Sequence, residues 1–277
     1  MIRTVLVTGG SKRLGAAIVR RLAADGHAVV VHYGESVEDA AALVDEIVAT
    51  GGRAVAVKGD LGDLGGIGDL FAAARVAIGG PIDGLVNCAS KFTFDRPPLV
   101  DAALFAELSA INCGAPVLLA SALASQDDVA DGAVVNVLDQ KVANLNPDFF
   151  SYSCGKIALE GATTMLAQAL GPRIAVNAVS PGLTLPSGDQ SDAEFAAVAS
   201  DNLLRRPVGA QAVADAAAWL LTAKGVTGQN MFVDCGQRFL ARDGDVMFDR
   251  DHGGRHGWVY DDPRWARGHD AARDPPA

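Results

Sequence analysis

Residues 4–19 read TVLVTGGSKRLGAAIV, a β-rich run that passes through a glycine-rich turn into an alanine-rich helical stretch. In such a unit the free backbone amides and the positive end of the helix dipole face the same point, which favours an anion. The glycines permit the tight turn and the close packing of the chain. An ordinary strand-to-helix connection can also be rich in glycine, so the meaning of this segment depends on the rest of the chain.

The alternation of strand and helix continues through most of the sequence. The candidate strands cover residues 4–7, 28–33, 54–58, 84–86, 133–137, 174–178 and 230–233. The candidate amphipathic helices between them cover residues 14–24, 37–50, 67–77, 102–124, 149–170 and 210–221. This order predicts an α/β fold, a single-domain Rossmann-like doubly wound parallel sheet of about seven strands with helices on both faces. On the first unit of such a sheet, the turn at residues 8–15 favours a nucleotide site.

The composition of the 277-residue chain narrows the class of protein. Hydrophobic residues make up 49%, which fits a sheet buried on both faces. The net charge of −10 argues against a nucleic-acid partner. No apolar run is expected to reach the roughly 18 residues that span a bilayer, and the chain starts almost directly in a strand without a basic leader. Four cysteines without paired spacing are typical of reduced thiols, so we expect a cytoplasmic enzyme with a small-molecule substrate.

Two segments are expected to lie outside the regular sheet. Residues 185–202 are polar and irregular, and suit a mobile lid over the carboxyl ends of the strands. Residues 1–240 form the predicted domain, and residues 241–277 form an extension that is partly disordered or docked on a neighbouring subunit through its apolar runs at 246–248 and 258–260. His252 and His256 have a spacing that can bind zinc on a helix, but the glycines between them argue against a helix, so no metal is expected.

Tyr152 and Lys156 are four residues apart, so on a helix both side chains emerge on one face. A neighbouring lysine cation favours the phenolate, and we expect it to lower the pKa of Tyr152 enough for proton transfer near neutral pH. Alone this pair is a weak signal, because a packed tyrosine beside a solvated lysine gives the same spacing. Its meaning depends on the other motifs of the chain.

The joint set of motifs resembles the short-chain dehydrogenase/reductase family over about residues 2–240. The matching motifs, in order and spacing, are Thr8-Gly9-x-x-x-Arg13-Leu14-Gly15, Asp60-Leu61, Asn87-x-Ala89, Asn112, Tyr152-x-x-x-Lys156 and Pro181-Gly182. Each motif has an ordinary structural explanation, but together they form a specific pattern. The resemblance implies a nicotinamide-dependent oxidoreductase that assembles as a homotetramer or homodimer.

The resemblance also implies which residues contact the cofactor. The implied cofactor-binding residues are Gly9, Ser11, Lys12, Arg13, Leu14, Gly15, His32, Tyr33, Asp60, Leu61, Asn87, Ala89, Tyr152, Lys156, Pro181 and Gly182. Among them Asp60 would bond the adenine end, and Pro181 with Gly182 would pack near the nicotinamide. Asn112 would hold a water in a proton relay through Lys156.

The choice of nicotinamide cofactor depends on opposing charges. Lys12 and Arg13 place two cations in the phosphate loop, where they would neutralise a 2′-phosphate. Glu35 lies just past the second strand, where an acidic residue often holds a ribose 2′-hydroxyl, although it could equally be a solvated acid of the next helix. We expect NADPH, with NADH left open by Glu35.

Asp139 stands thirteen residues before Tyr152, where the family usually has a serine. A serine hydroxyl can donate a hydrogen bond to the alkoxide that develops from a ketone, whereas a carboxylate would repel it. A carboxylate suits instead a substrate that presents N–H groups. Together with Arg13 in place of the middle loop glycine and the run of residues 87–92, Asp139 makes the chain resemble the pteridine reductase branch, which includes dihydropteridine- and dihydromonapterin-type reductases.

That closer resemblance implies a reductase of a pteridine-type ring. The implied catalytic residues are Tyr152, Lys156, Asp139 and Asn112, and the implied substrate-binding residues are Arg13, Ser90, Phe92, Asp139, Phe149 and Tyr152. Phe92 would form one wall of a stacking slot opposite the nicotinamide, and Phe149 would line the pocket. Ser90 and Arg13 would bond the polar edge of the ring. The acid and the phenol would manage the proton while NADPH delivers hydride.

Several alternatives stay open from the sequence. Phe92 and Phe149 could be plain core residues, and Asp139 could cap the end of a strand. Within the family, a carbonyl reductase acting on a 3-oxoacyl thioester, a sugar ketone or a steroid ketone is the second hypothesis, and a catalytically idle cofactor-binding regulator is a third. In pteridine reductases a basic residue near the C-terminus reaches a neighbouring active site, and Arg242 lies near the matching place, offset by about one residue.

Overall fold

The computed structural model describes residues 1–187 and 190–246. Its strands are β1 Thr4–Thr8, β2 Ala28–Tyr33, β3 Arg53–Lys58, β4 Gly84–Asn87, β5 Gly132–Val137, β6 Ile174–Pro181 and β7 Asn230–Val233. They form one sheet in the order β3-β2-β1-β4-β5-β6-β7, in which every neighbouring pair is parallel. The predicted doubly wound sheet of seven strands is confirmed.

Helices cover both faces of the sheet. Within the described residues the α-helices are α1 Arg13–Ala24, α2 Val37–Ala49, α3 Ile67–Ile78, α4 Ala102–Ser109, α5 Ala115–Ala124, α6 Phe150–Leu170, α7 Asp192–Val198 and α8 Ala210–Thr222. Side chains of β1 alternate between the two faces, so Val5 and Val7 pack with α1, α2 and α8, whereas Leu6 packs with α3 and α5. Each face of the parallel sheet is thus buried, as its valine-rich strands indicate.

The sheet changes direction between β1 and β4. The chain builds outward from β1 to β3 and then returns to start the other half at β4, so the connections after β1 and β4 diverge. Such a switch point leaves a crevice at the carboxyl ends of the two strands. The hydroxyl of Thr8 closes its floor, because it accepts hydrogen bonds from the amides of Cys88 and Ala89 at 3.0 and 3.1 Å.

Residues 102–124 are helical, but a π-helical turn, Ala110–Gly114, separates α4 from α5. By length (23 residues) and mean hydropathy (1.6) this stretch is long and apolar enough to cross a membrane. The expectation that no apolar run in the chain is long enough to span a bilayer is therefore wrong. One such helix is weak support for a span, because core helices meet the same criteria. Here Leu108, Leu119 and Leu123 are fully buried within the fold.

The segment 185–202 was expected to be irregular, and that expectation is wrong in part. Within it lies α7, whose N-terminus has a reciprocal capping box. The Ser191 hydroxyl accepts from the amide of Glu194 at 3.2 Å, and the Glu194 carboxylate accepts from the amide of Ser191 at 2.9 Å. These two bonds satisfy amides that a helix start leaves unpaired, so even a short polar segment becomes helical.

Part of the predicted C-terminal extension lies outside the described residues. Residues 247–277 include most of the run 246–248, all of the run 258–260, and both His252 and His256. Within residues 1–187 and 190–246, no group of three or more His, Cys, Asp or Glu side chains is arranged to hold a metal ion.

Candidate active site

A cavity of about 680 Å³ opens at the carboxyl ends of β1, β4, β5 and β6. One end is formed by the glycine-rich loop after β1, and the other by the start of α6 and by Arg242 and residues 244–246 near the end of the described chain. Thirteen of the residues that the sequence assigns to cofactor or substrate line it: Gly9, Lys12, Arg13, Leu14, Gly15, Ala89, Ser90, Phe92, Asp139, Tyr152, Lys156, Pro181 and Gly182.

The loop after β1 is folded so tightly that side chains are excluded. A Cβ on Gly15 would lie 2.0 Å from the carbonyl oxygen of Gly9, and a Cβ on Gly9 would lie 2.9 Å from the Cα of Ala89. Lys12, at the N-cap of α1, makes no side-chain cap hydrogen bond. The first amides of α1 are therefore available to an anion in a cradle that only glycine permits, which fits the pyrophosphate of a dinucleotide.

His32, predicted to contact the cofactor, lies instead beneath the loop and is only 2% exposed. Its Nδ1 accepts a hydrogen bond from the amide of Gly9 at 3.1 Å, so the ring proton lies on Nε2, 3.2 Å from the carbonyl oxygen of Gly59. Burial lowers the pKa of His32 to about 4, which keeps the ring neutral. The imidazole thus joins the phosphate loop to the end of β3.

The charges near the adenine end are paired within the protein. Lys12 forms an ion pair with Asp39 at 2.8 Å, and Lys58 forms one with Glu35 at 3.3 Å. Arg13 donates to the carbonyl oxygen of Pro186. The two loop cations that favoured a 2′-phosphate therefore already have partners, and the Glu35 carboxylate that favoured a free ribose has one too.

Two further residues predicted to contact the cofactor, Asp60 and Leu61, make contacts within the protein. The Asp60 carboxylate accepts a hydrogen bond from the amide of Gly62 at 2.8 Å, and the Leu61 side chain is buried in the core.

At the reacting end, the phenol of Tyr152 donates a hydrogen bond to Oδ2 of Asp139 at 2.7 Å. Lys156 donates to the carbonyl oxygen of Val137 at 2.8 Å, and its Nζ lies 5.7 Å from the centre of the Tyr152 ring. Tyr152 and Lys156 are 5% and 2% exposed. The buried helix face with Tyr152 and Lys156 and the half-buried Asp139 thus form one group. Asp139 also caps the turn that follows, since its Oδ1 accepts from the amide of Lys141 at 2.9 Å.

The expected lowering of the pKa of Tyr152 is wrong. Burial, followed by the Asp139 carboxylate, raises the pKa of Tyr152 well above its ordinary value. Burial also lowers the pKa of Lys156 to about 8 and raises the pKa of Asp139. Desolvation outweighs the lysine charge because Tyr152 and Lys156 are both removed from water. The phenol therefore stays protonated near neutral pH, so it carries a proton that it can donate, although the raised pKa makes it a weaker acid than an exposed tyrosine.

Asn112 lies in the π-helical turn and is fully buried. Its Oδ1 accepts from the hydroxyl of Ser90 at 2.9 Å and from the amide of Lys91 at 3.1 Å, and its Nδ2 donates to the carbonyl oxygen of Lys91 at 2.9 Å. The amide of Asn112 thus anchors the loop after β4. A Cβ on Gly155 would lie 3.1 Å from the Cβ of Asn112, so the small residue in Tyr-x-x-Gly-Lys lets α6 approach the turn.

Asn87, predicted to contact the cofactor, belongs to a buried polar chain whose other members, Asn136 and Thr163, were not predicted from the sequence. Asn87 donates to Oδ1 of Asn136 at 2.8 Å, and Asn136 donates to the hydroxyl of Thr163 at 2.9 Å. The Oδ1 of Asn87 is buried and has no hydrogen-bond partner among the residues that the structure describes. This spare acceptor fits a ligand donor at the floor of the channel. An asparagine within the valine-rich run 133–137 is the signal that could have revealed the chain.

The aromatic residues are arranged differently from the expectation. Phe92 is 36% exposed and lines the cavity, and its ring stacks on Phe149 at 3.9 Å between centroids with an interplanar angle of 17°. Phe149 is 4% exposed and lies behind Phe92, so it supports the predicted slot but is not a cavity wall. Tyr152 meets Phe92 edge-on at 4.7 Å. The positive φ of Phe149 (54°), at the N-cap of α6, turns its ring to this position.

The turn after β6 closes the nicotinamide end of the predicted site. The amide of Gly182 donates to the carbonyl oxygen of Val233 at 3.0 Å, and a Cβ at Gly182 would lie 2.6 Å from Oε1 of Gln237. The same Gln237 oxygen accepts from the amide of Leu183 at 2.8 Å. Gln237, which sequence reasoning missed, therefore holds the chain at the mouth of the cavity.

Comparison with known proteins shows which of them this chain resembles in sequence and in structure. A family model described as short chain dehydrogenase matches residues 3–195. An uncharacterized oxidoreductase of Methylorubrum extorquens is 37% identical over 187 residues, which is 67% of this chain and 75% of that protein. The 3β-hydroxysteroid dehydrogenase 1 of Eggerthella lenta is 34% identical over 246 residues, 84% of this chain and 93% of its own. The crystal structure of FolM alternative dihydrofolate reductase 1 from Brucella suis, in complex with NADP, is 39% identical with a TM-score of 0.83, covering 87% of this chain and 96% of its own.

Proposed function

The chain belongs to the short-chain dehydrogenase family, and from that premise we propose that it is an NADPH-dependent reductase of a pteridine-type ring. One observation carries the proposal: a half-buried carboxyl, Asp139, receives the hydrogen bond of the Tyr152 phenol at the reacting end of the cavity. The similarity to an alternative dihydrofolate reductase supports the same substrate class.

Asp139 discriminates between substrates by its hydrogen-bonding chemistry. An ionised carboxylate only accepts hydrogen bonds, and a protonated one donates a single bond. The oxygen of a ketone gains negative charge during reduction, which a half-buried carboxylate beside it opposes. A dihydropterin presents ring and amino N–H groups, and its C=N bond needs a proton on nitrogen. The site therefore suits the nitrogen heterocycle better.

The residues of the loop fit the proposed cofactor. The glycine cradle with the uncapped start of α1 would hold the pyrophosphate, and the buried Oδ1 of Asn87, next in sequence to the cavity-lining Cys88 and Ala89, would be available to a donor of the cofactor. When bound, NADPH supplies a hydride to the ring carbon. The Brucella suis relative was solved with NADP, which supports NADPH here. The ion pairs of Lys12 and Lys58 would have to exchange partners to meet a 2′-phosphate.

The proton is managed by residues of this chain. Tyr152 is a protonated phenol and would donate its proton to the ring nitrogen as the neighbouring carbon is reduced. Because burial raises the pKa of Asp139, this carboxyl can hold a proton at higher pH than an exposed aspartate. After the phenol has given its proton to the substrate, Asp139 would donate its own proton to the phenolate across the same 2.7 Å contact, in which tyrosine is the donor before the reaction. Lys156, anchored on Val137, would supply a positive charge beneath both groups.

The loop after β4 would hold the substrate in register. Phe92 offers an exposed ring face for a flat heterocycle, backed by Phe149. Ser90, fixed by Asn112, lines the cavity beside Tyr152. Arg13 reaches the same cavity from the phosphate loop. These positions support the predicted substrate contacts, and we further propose a homodimer or homotetramer located in the cytoplasm.

Ketone reduction is the second candidate function, favoured by the 34% identity to a hydroxysteroid dehydrogenase over 84% of the chain. We expect NADPH oxidation, followed by absorbance, with a dihydropterin or a quinonoid pterin, and at least about tenfold lower kcat/KM with an acetoacetyl thioester or a steroid ketone. Turnover confined to the ketones would overturn the pteridine assignment.

Repeating each assay with NADH tests the choice of cofactor, and a higher kcat/KM with NADH than with NADPH would contradict the NADPH assignment.

The kcat/KM for reduction should fall as pH rises through about 8. The pKa of Lys156 is lowered to about 8, so its cation is present below that pH and is lost above it. A protonated Asp139 is also lost as pH rises, so both groups act in the same direction. A plot of log kcat/KM against pH, which reports the free enzyme, should bend downward near pH 8. Lys156→Arg, whose charge persists, should move the bend to higher pH, and an unmoved bend would remove Lys156 from the profile.

A further inference from the structure

The last described residues, 240–246, cross the reacting end of the cavity, and we refer to them as the strap. The carbonyl oxygen of Leu240 accepts from Nδ2 of Asn144 at 3.0 Å, and Arg242 forms an ion pair with Asp201. Val246, at the other end, is 7% exposed. The strap thus belongs to the same chain as the cavity that it covers, and Arg242 lines the cavity of its own chain.

Asp148 holds the middle of the strap. This carboxylate is fully buried, and it accepts from Nη1 of Arg96 at 2.8 Å and from the amide of Asp245 at 2.7 Å. A Cβ on Gly244 would lie 2.9 Å from the same Asp148 oxygen that binds the Asp245 amide. The strap can approach this closely only with glycine at that position. Because Asp148 directly precedes Phe149, one buried carboxylate positions the strap and the aromatic support together.

An ion pair with Lys141 holds the Asp245 side chain at the cavity. Its Oδ2 lies 2.8 Å from Nζ of Lys141, and the two side chains are only 11% and 5% exposed. Lys141 also donates to Oδ1 of Asn146 at 3.0 Å. Asp245 lines the same cavity as Asp139 and Tyr152, and its negative charge contributes to raising the pKa of Tyr152. A second carboxylate is therefore held within electrostatic reach of the phenol.

We propose that Asp245 is a specificity-determining residue, which the strap presents at the reacting end so that its carboxylate accepts hydrogen bonds from an N–H edge of the substrate. This inference rests on the proposed pteridine function. A carboxylate has about four acceptor positions, which is more than an ion pair with one ammonium group occupies. An aminopyrimidine edge offers adjacent N–H donors that match a carboxylate, whereas a ketone offers none. Asp245 thus adds to the discrimination made by Asp139.

The test compares full-length Asp245→Asn with wild type at saturating NADPH, with a dihydropterin and a steroid ketone as substrates. Loss of a charge-assisted hydrogen bond should raise KM for the dihydropterin about 10- to 100-fold. The kcat for the dihydropterin, the KM for the ketone and the Kd for NADPH should each change by less than about threefold. Asp245→Glu, which keeps the charge, should restore much of the affinity.

Asp243→Asn is the matched control, because this exposed carboxylate lies two residues away on the same strap and does not line the cavity. Its KM for the dihydropterin should equal that of wild type. Binding of 2,4-diaminopteridine to the NADP-loaded protein, followed by fluorescence quenching, gives the same comparison without turnover. An unchanged KM in Asp245→Asn, or an equal rise for pterin and ketone, overturns the role of Asp245 alone. A wild-type protein that neither binds nor reduces any pterin overturns the proposed function and this inference together.

Discussion

Replacing Tyr152 with phenylalanine should lower kcat for dihydropterin reduction roughly 10²- to 10⁴-fold, the range that positioned general acids contribute. The ring would still pack against Phe92, which it now meets edge-on at 4.7 Å. Only the hydroxyl that donates to Asp139 would be lost. Steady-state kinetics at saturating NADPH measure the loss, and fluorescence titration should show a Kd for NADPH within about threefold of wild type. Activity that survives this change would exclude Tyr152 as the proton donor.

Asp139→Asn provides an intermediate test of the same relay. The amide oxygen can still accept the hydrogen bond from Tyr152, but it cannot return a proton to the phenol. We expect kcat between those of wild type and Tyr152→Phe. Full pterin activity in this variant would remove Asp139 from the proton path and leave it as the cap of the turn that begins at Gln140.

Gly15→Ala should weaken NADPH binding roughly 10- to 100-fold, because overpacking of this kind costs about 1–3 kcal/mol. The added methyl group would lie 2.0 Å from the carbonyl oxygen of Gly9. That neighbour is backbone and cannot rotate away, so the whole phosphate loop must move. Isothermal titration with NADPH measures the change, and thermal unfolding shows whether the fold is retained.

Gly161→Ala is the matched control for this loop variant. Gly161 lies on the exposed face of α6, and a Cβ there would meet no atom within 4 Å. Alanine favours the helix interior by about 0.8–1.0 kcal/mol, so the control should be equally or more stable and should bind NADPH normally. Equal affinities in the two variants would contradict the proposed crowding in the loop.

The ends of six strands could be predicted to within one residue, because their β-branched runs alternate regularly with alanine-rich helices, whereas β6 continues three residues beyond the predicted end at residue 178. α7 was missed, since its seven residues carry a polar cap rather than a long apolar stripe. The proximity of Tyr152 and Lys156 followed from helical spacing alone. The direction in which the pKa of Tyr152 is shifted could not be predicted in this way. It depends on burial and on the proximity of Asp139, which a spacing of thirteen residues in the sequence cannot reveal.

Long-range partners explain the other differences between prediction and structure. From the sequence Lys12 was interpreted as a cation available to the cofactor. In the structure α2 brings Asp39, 27 residues further along the chain, into an ion pair with it. Asp148 and Asp245 are 97 residues apart and become neighbours only when the strap folds over the cavity. Such pairings depend on the tertiary path of the chain, so no local pattern in the sequence announces them.

The π-helical turn Ala110–Gly114 corresponds to one residue more than an uninterrupted α-helix would use for the same span. Each residue of an α-helix rotates the chain by about 100°, so this addition gives α4 and α5 different rotational settings along one axis. Asn112 lies in this turn and is fully buried, so the turn contributes to the direction of its side chain. A relative with an asparagine at the aligned position but without the extra residue would direct that amide elsewhere. For this part of the site, helix length is as informative as residue identity.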